Sequence, residues 1–140
     1  MRYWDSSAII PLLLEEPQTA AVQKLYEQDS HLVVWSLTEV EIASALARRV
    51  REGFEARALE RARRELSKLV DRWGEISTLL PVRARALRLL NTHAIQAADA
   101  MQLAAALVAS DERPESLPFV SLDDHLSEAA RKEGFPVLPS

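Results

Sequence analysis

The chain has 140 residues, 48% hydrophobic and 27% charged, with a formal net charge of −4, so a single globular domain over residues 1–140 is expected, burying roughly two-thirds of its unfolded surface. It has no cysteine, which excludes disulfides, thiol catalysis and cysteine-ligated zinc, and its three glycines cannot build a glycine-rich phosphate loop. No apolar run is long enough to span a membrane, and MRYWDSS places charge where a secretory signal would be apolar, so a cytoplasmic protein is expected.

RYW reads as a first strand, followed by a helical run, SSAIIPLLLEE, in which Pro11 sits early enough to threaten a kink. Beyond Pro17, QTAAVQKLYEQ has the pattern of a short amphipathic helix, and HLVVWS is a β-branched and aromatic run, hence a second strand. SLTE opens a helix over about 37–52 with Ser36 and Glu39 as a capping box, and Gly53 stops it. FEARALERARRELSKLVDRWG predicts a long helix ending at Gly74, and EISTLLP a third strand. Pro81 then opens the helix VRARALRLLNTH, and AADAMQLAAALVAS predicts another. DERPESLP is a loop, PFVSLDD a fourth strand, DHLSEAARKEG a helix closed by Gly134, and FPVLP a short fifth strand. Strands alternating with helices make an α/β domain whose parallel sheet is covered on both faces. Ligands of such sheets bind beyond the carboxyl ends of the strands, so the side chains there are the ones to weigh.

Four acids fall at such places. Asp5 closes the first strand and Asp123 the fourth, and a parallel sheet carries both to one edge. Each also reads as a helix cap, Asp123 beside a second capping pattern, Ser121 with Asp124. Glu41 lies two residues beyond Glu39, turned about 200° around the helix, on a ridge between Leu37 and Ala45 where a carboxylate is costly without a partner. Asp99 opens an almost wholly apolar helix, as an N-cap boxed by Gln102 or as something more. Separate caps explain each acid but not why all four collect at one sheet edge. Gathered carboxylates raise one another's pKa unless a cation holds them ionised. Oxygen ligands of this kind suit Mg²⁺ or Mn²⁺, which bind substrate phosphate and assist phosphodiester hydrolysis.

The blocks YWDSSAIIPLLLEEP, WSLTEVEIASALARR, HAIQAADAMQLAAAL and FVSLDDHLSEAARKEG, in this order, resemble the PIN-domain family, and most closely its VapC toxins from toxin–antitoxin pairs. The resemblance spans essentially the whole chain. It implies a three-layer α/β/α fold around a central, mainly parallel sheet of about five strands, and a Mg²⁺- or Mn²⁺-dependent endoribonuclease acting as a toxin. It places the family's acids on Asp5, Glu41, Asp99 and Asp123, with Ser121 as a supporting hydroxyl and Ser6 or Ser7 steadying Asp5. It also implies RNA as substrate, a homodimer, and an antitoxin lying across a groove of the toxin. Asp124, adjacent to Asp123, reads as a cap or an auxiliary ligand.

The cations crowd into RRVREGFEARALERARRE, residues 48–65. This stretch is either a solvated face laced with i,i+4 pairs or a rim for phosphate or an acidic partner; Arg48 and Arg49 are its candidates for steering an RNA backbone. His93 and His125 are read as structural or rim histidines, and Trp4, Trp35 and Trp73 as core or dimer contacts. A phosphotransfer domain would need a lysine near a late strand, and a haloacid-dehalogenase-like phosphatase an aspartate where Ser7 stands. A PIN module that binds RNA or protein without cutting, and an RNA-processing PIN nuclease, are the alternatives to a toxin.

Overall fold

In the computed structural model, which describes residues 1–140, the strands Arg2–Trp4 (β1), Leu32–Trp35 (β2), Gly74–Ile76 (β3), Phe119–Val120 (β4) and Val137–Leu138 (β5) form one sheet in the order β3-β2-β1-β4-β5. Every pairing is parallel. The helices are Ser6–Leu13 (α1), Thr19–Gln28 (α2), Thr38–Arg51 (α3), Ala56–Arg72 (α4), Leu79–Thr92 (α5), Ala97–Ala109 (α6) and Asp124–Glu133 (α7). All four residues of β2, LVVW, are buried, as a strand covered on both faces requires.

Alternate strand residues enter opposite halves of the core. Tyr3, Val33, Trp35 and Phe119 pack against α5, α6 and α7, while Trp4, Leu32, Val34 and Val120 pack against α1 to α4. The result is the expected α/β/α sandwich on a five-strand parallel sheet. Strand order reverses at β1, which has β2 on one side and β4 on the other. The crevice for a ligand therefore opens where β1 and β4 end. No helix is long and apolar enough to cross a membrane.

Several local expectations are corrected. The capping box at Ser36 does not form: Ser36 N–H bonds the Ile76 carbonyl at 3.0 Å, continuing the β2–β3 pairing, and α3 starts one residue later behind Leu37, with no side-chain cap. Gly74 does not belong to the long helix but opens β3 opposite Val33; α4 ends at Arg72, with Trp73 as its C-cap. The third strand is shorter than EISTLLP, because α5 begins at Leu79 and takes Pro81 into its first turn, where a missing N–H costs nothing. Pro11 is accommodated inside α1, which stops at Leu13. Gly53 and Gly134 do terminate their helices, both with positive φ. At each, the following N–H reaches back to a carbonyl of the last turn, Phe54 to Arg49 and Phe135 to Ala130, both at 3.0 Å, the Schellman arrangement that favours glycine.

Candidate active site

Asp5 stands at the first position after β1, its backbone N–H bonded to the Val120 carbonyl of β4 at 3.1 Å. It occupies the N-cap position of α1, yet its side chain makes no cap bond. The carboxylate is 3% exposed and instead accepts a hydrogen bond from Ser7 Oγ at 2.8 Å. Ser7 Oγ in turn accepts from the Leu122 N–H at 2.9 Å and lies 3.4 Å from Ser121 Oγ, which accepts from the Asp123 N–H at 3.1 Å. These hydroxyls stitch the ends of β1 and β4 together beneath Asp5. Of the two serines after Asp5, Ser7 is the one that holds it.

Asp123 does cap α7, accepting from the Leu126 N–H at 2.9 Å, so the pattern with Ser121 and Asp124 as the box is replaced by Asp123 itself. Asp124 is the exposed first residue of α7. Asp99 is not an N-cap: Gln96 holds that position, and Asp99 sits in the first turn of α6. Gln102 is therefore free of the capping role and serves another. It is buried and donates from Nε2 to Thr38 Oγ1 at 3.0 Å and to Glu41 Oε1, while its Oε1 accepts from Tyr3 Oη at 2.6 Å.

Electrostatics order the acids into a row. Burial raises the Asp5 pKa from 3.8 to about 7, against the lowering effect of the Ser7 and Ser121 hydroxyls and with a further push from Asp123. Burial also raises Asp99, and Asp123 adds to it, opposed by the Gln96 backbone and His125. Glu41 is raised by burial, lowered by the Gln102 hydrogen bond and raised by Asp99. Asp5, Asp123, Asp99 and Glu41 thus feel one another in succession across the switch point. None of them takes part in an ion pair with a lysine or arginine.

Asp99, Asp123 and His125 line a hollow of about 410 Å³ together with Ala94, Ile95 and Gln96. A larger hollow, about 560 Å³, lies beside α1 and α4 and holds none of the four acids. No three acids or histidines lie close enough together to hold a metal ion among themselves. Mg²⁺ asks for less than a cage, since one or two carboxylates and several waters hold it. An oxygen-only row of acids without a neutralising side chain fits such a hard cation.

Arg48 is exposed, whereas Arg49 pairs with Glu16 and lies over the Phe54 ring, 5.6 Å from its centre. His93 is buried against Glu133 at 2.6 Å, a structural contact, and His125 lies on the rim of the acidic hollow. Trp4 and Trp35 are core residues. The sequence reading missed Tyr3 and Thr38 and misassigned Gln102; the available signal was a lone amide in the otherwise apolar run AMQLAAALV.

Among solved structures the chain is similar to PAE2754 from Pyrobaculum aerophilum, whose crystal structure matches with a TM-score of 0.65 at 22% identity, over 92% of this chain and 79% of that one. A likeness at this identity concerns the fold. No curated protein matches the chain. The PIN domain model matches residues 2–132, from β1 into the last turn of α7, and the chain belongs to the PIN domain family, whose members are generally nucleases that use divalent metal ions.

Proposed function

We propose that this protein is a Mg²⁺- or Mn²⁺-dependent endoribonuclease and the VapC-type toxin of a toxin–antitoxin pair. The observation that carries the reading is the row of acids at the switch point, in which burial, helped by neighbouring carboxylates, raises Asp5, Glu41 and Asp99, and a buried Asp5 has no cationic side chain beside it. Such a row is costly to a fold and useful to a cation. In this reading Asp5, Glu41, Asp99 and Asp123 would hold the cation, directly or through its waters, and it would supply positive charge to activate water and to stabilise the leaving oxygen. Asp99 and Asp123, facing the hollow, accept hydrogen bonds from the attacking water and orient it towards phosphorus. As the water oxygen bonds phosphorus, the bond to the departing ribose oxygen breaks, and one proton given up by the attacking water ends on that oxygen. Ser7 and Ser121 keep the Asp5 carboxylate from turning. Arg48 lies two helical turns beyond Glu41 on the same side of α3, about 10 Å along the axis, where it would meet a neighbouring phosphate without reading sequence.

The partners follow from the two surfaces left over. Leu37 and Val40 at the α3 start and Leu79 and Leu80 at the α5 start are all exposed, and the two segments leave the neighbouring strands β2 and β3. This is the face we propose for a second copy in a homodimer. The hollow beside α1 and α4, walled by Leu12, Leu13 and Phe54 with Arg61 at its edge, is the place proposed for the antitoxin segment.

The test is incubation of purified, antitoxin-free protein with total RNA in Mg²⁺, Mn²⁺ or EDTA, with Asp5→Asn prepared identically. Cutting by the wild type alone, and only with metal, is expected. Equal behaviour of the two proteins would favour a PIN module that binds without cutting. Growth arrest on expression, lost in Asp5→Asn, tests the toxin role.

A further inference from the structure

Tyr3, Gln102, Thr38 and Glu41 form a connected chain of hydrogen bonds that runs from the sheet, through α6, to α3. Tyr3 and Thr38 are fully buried and Gln102 is 1% exposed. Tyr3 lies two residues before Asp5, Gln102 one turn after Asp99, and Thr38 one turn before Glu41. The chain therefore joins the three elements that carry Asp5, Asp99 and Glu41.

Its direction is fixed by elementary donor chemistry. The Tyr3 hydroxyl faces Gln102 Oε1 at 2.6 Å, and an amide oxygen only accepts. The amide nitrogen must then face the other way. Its two hydrogens are taken by Thr38 Oγ1, at 3.0 Å, and Glu41 Oε1. A tyrosine hydroxyl is a donor, and with Oε1 taken by it and Nε2 by Thr38 and Glu41 the amide has no reason to flip. An aliphatic side chain would fill the same buried space without the cost of burying an amide. The amide has one charged partner, and it is Glu41.

We infer that Gln102, locked from behind by Tyr3, is a positioning residue that aims the Glu41 carboxylate at the cation. The inference rests on the nuclease reading above and adds to it two residues outside the acidic row. With Oε1 of Glu41 held by the amide, the other oxygen would be the one left for the cation. Groups that orient a metal-binding side chain in this way typically change metal affinity or activity 10- to 100-fold when removed.

The experiment uses Gln102→Met, which keeps length and volume but cannot donate, and Tyr3→Phe, which removes only the lock. Mn²⁺ binding is measured by calorimetry on each full-length protein, thermal unfolding is recorded in EDTA, and RNA cleavage is followed across a Mg²⁺ series. Gln102→Met should bind Mn²⁺ about tenfold more weakly and Tyr3→Phe more weakly by a smaller factor. Both should need more Mg²⁺ for half-maximal cleavage while recovering towards wild-type kcat at saturation. A merely structural role would lower kcat at every Mg²⁺ concentration and leave the half-saturation point in place, and that result would overturn the inference. So would Mn²⁺ affinity within twofold of wild type in Gln102→Met; if that variant fails to fold, unchanged affinity in Tyr3→Phe decides against it. Weaker Mn²⁺ binding in both variants of a wild type that cuts no RNA would support the positioning role and overturn the nuclease reading instead.

Discussion

Replacing Asp5 by asparagine should stabilise the metal-free protein at alkaline pH while abolishing cleavage. The carboxylate is buried after β1, with its pKa raised from 3.8 to about 7. At 1.36 kcal/mol per unit, keeping it ionised costs the native state about 4 kcal/mol. The native protein holds this proton more tightly than the unfolded chain, so stability is full below about pH 4, declines as pH rises, and levels off above about pH 7. Asparagine has no charge to desolvate, and its side-chain oxygen still accepts from Ser7 Oγ. Urea unfolding in EDTA should therefore show Asp5→Asn more stable than wild type by about 3–4 kcal/mol at pH 8 and by about 2 kcal/mol at pH 5, the difference growing as Asp5 ionises more readily in the unfolded chain than in the native protein. Glu41 and Asp99 are raised in both proteins, so the comparison isolates Asp5. Adding Mg²⁺ at about a hundred times its Kd should return about 2.7 kcal/mol to the wild type and little to the variant. An Asp5→Asn protein no more stable than wild type at pH 8, or an advantage that does not change with pH, would refute the reasoning and make Asp5 a structural residue.

Other substitutions separate the roles of neighbouring residues. Asp123→Asn should keep α7 capped and lose cleavage, whereas Asp123→Ala should lose a further ~1 kcal/mol in urea unfolding. Burial alone would raise Glu133, but hydrogen bonds and charge from His93 and Arg88 bring it below its ordinary 4.5; the stability it contributes is present above that pH and lost below it. Thermal melts of Glu133→Gln should accordingly fall short of wild type at pH 7 and converge with it as pH drops below 4.5. Arg48→Ala should weaken RNA binding and reduce the slope of log affinity against log salt by about one, while Arg49→Ala, which breaks the Glu16 pair and the Phe54 contact, should lower the melting temperature and leave that slope unchanged.

The acids were legible before the fold because a carboxylate at the end of an apolar strand, or in the first turn of an apolar helix, conflicts with its surroundings in a way local sequence exposes. Asp5 after RYW and Asp99 before AMQLAAAL are such conflicts. The alternation of strand and helix patterns likewise predicted a parallel sheet covered on both sides, since period and length are properties of short segments. What misled was capping chemistry. Ser36 with Glu39, and Asp99 with Gln102, have the spacing of capping boxes, but spacing does not say whether the backbone N–H groups at that point are already engaged by the sheet or which way a buried amide faces.

Only the tertiary structure decided those matters. Strand order put β1 between β2 and β4, and that adjacency set the coupling of Asp5 to Asp123, the bridge from Ser7 to Leu122 across more than a hundred residues of chain, and the contact of Tyr3 with Gln102. Periodicity, charge and turn residues act over one or two turns and are written in the order of amino acids. Hydrogen bonds between remote side chains, and the burial that lifts Asp5 to about pH 7, depend on which segments become neighbours, and a single sequence does not state this.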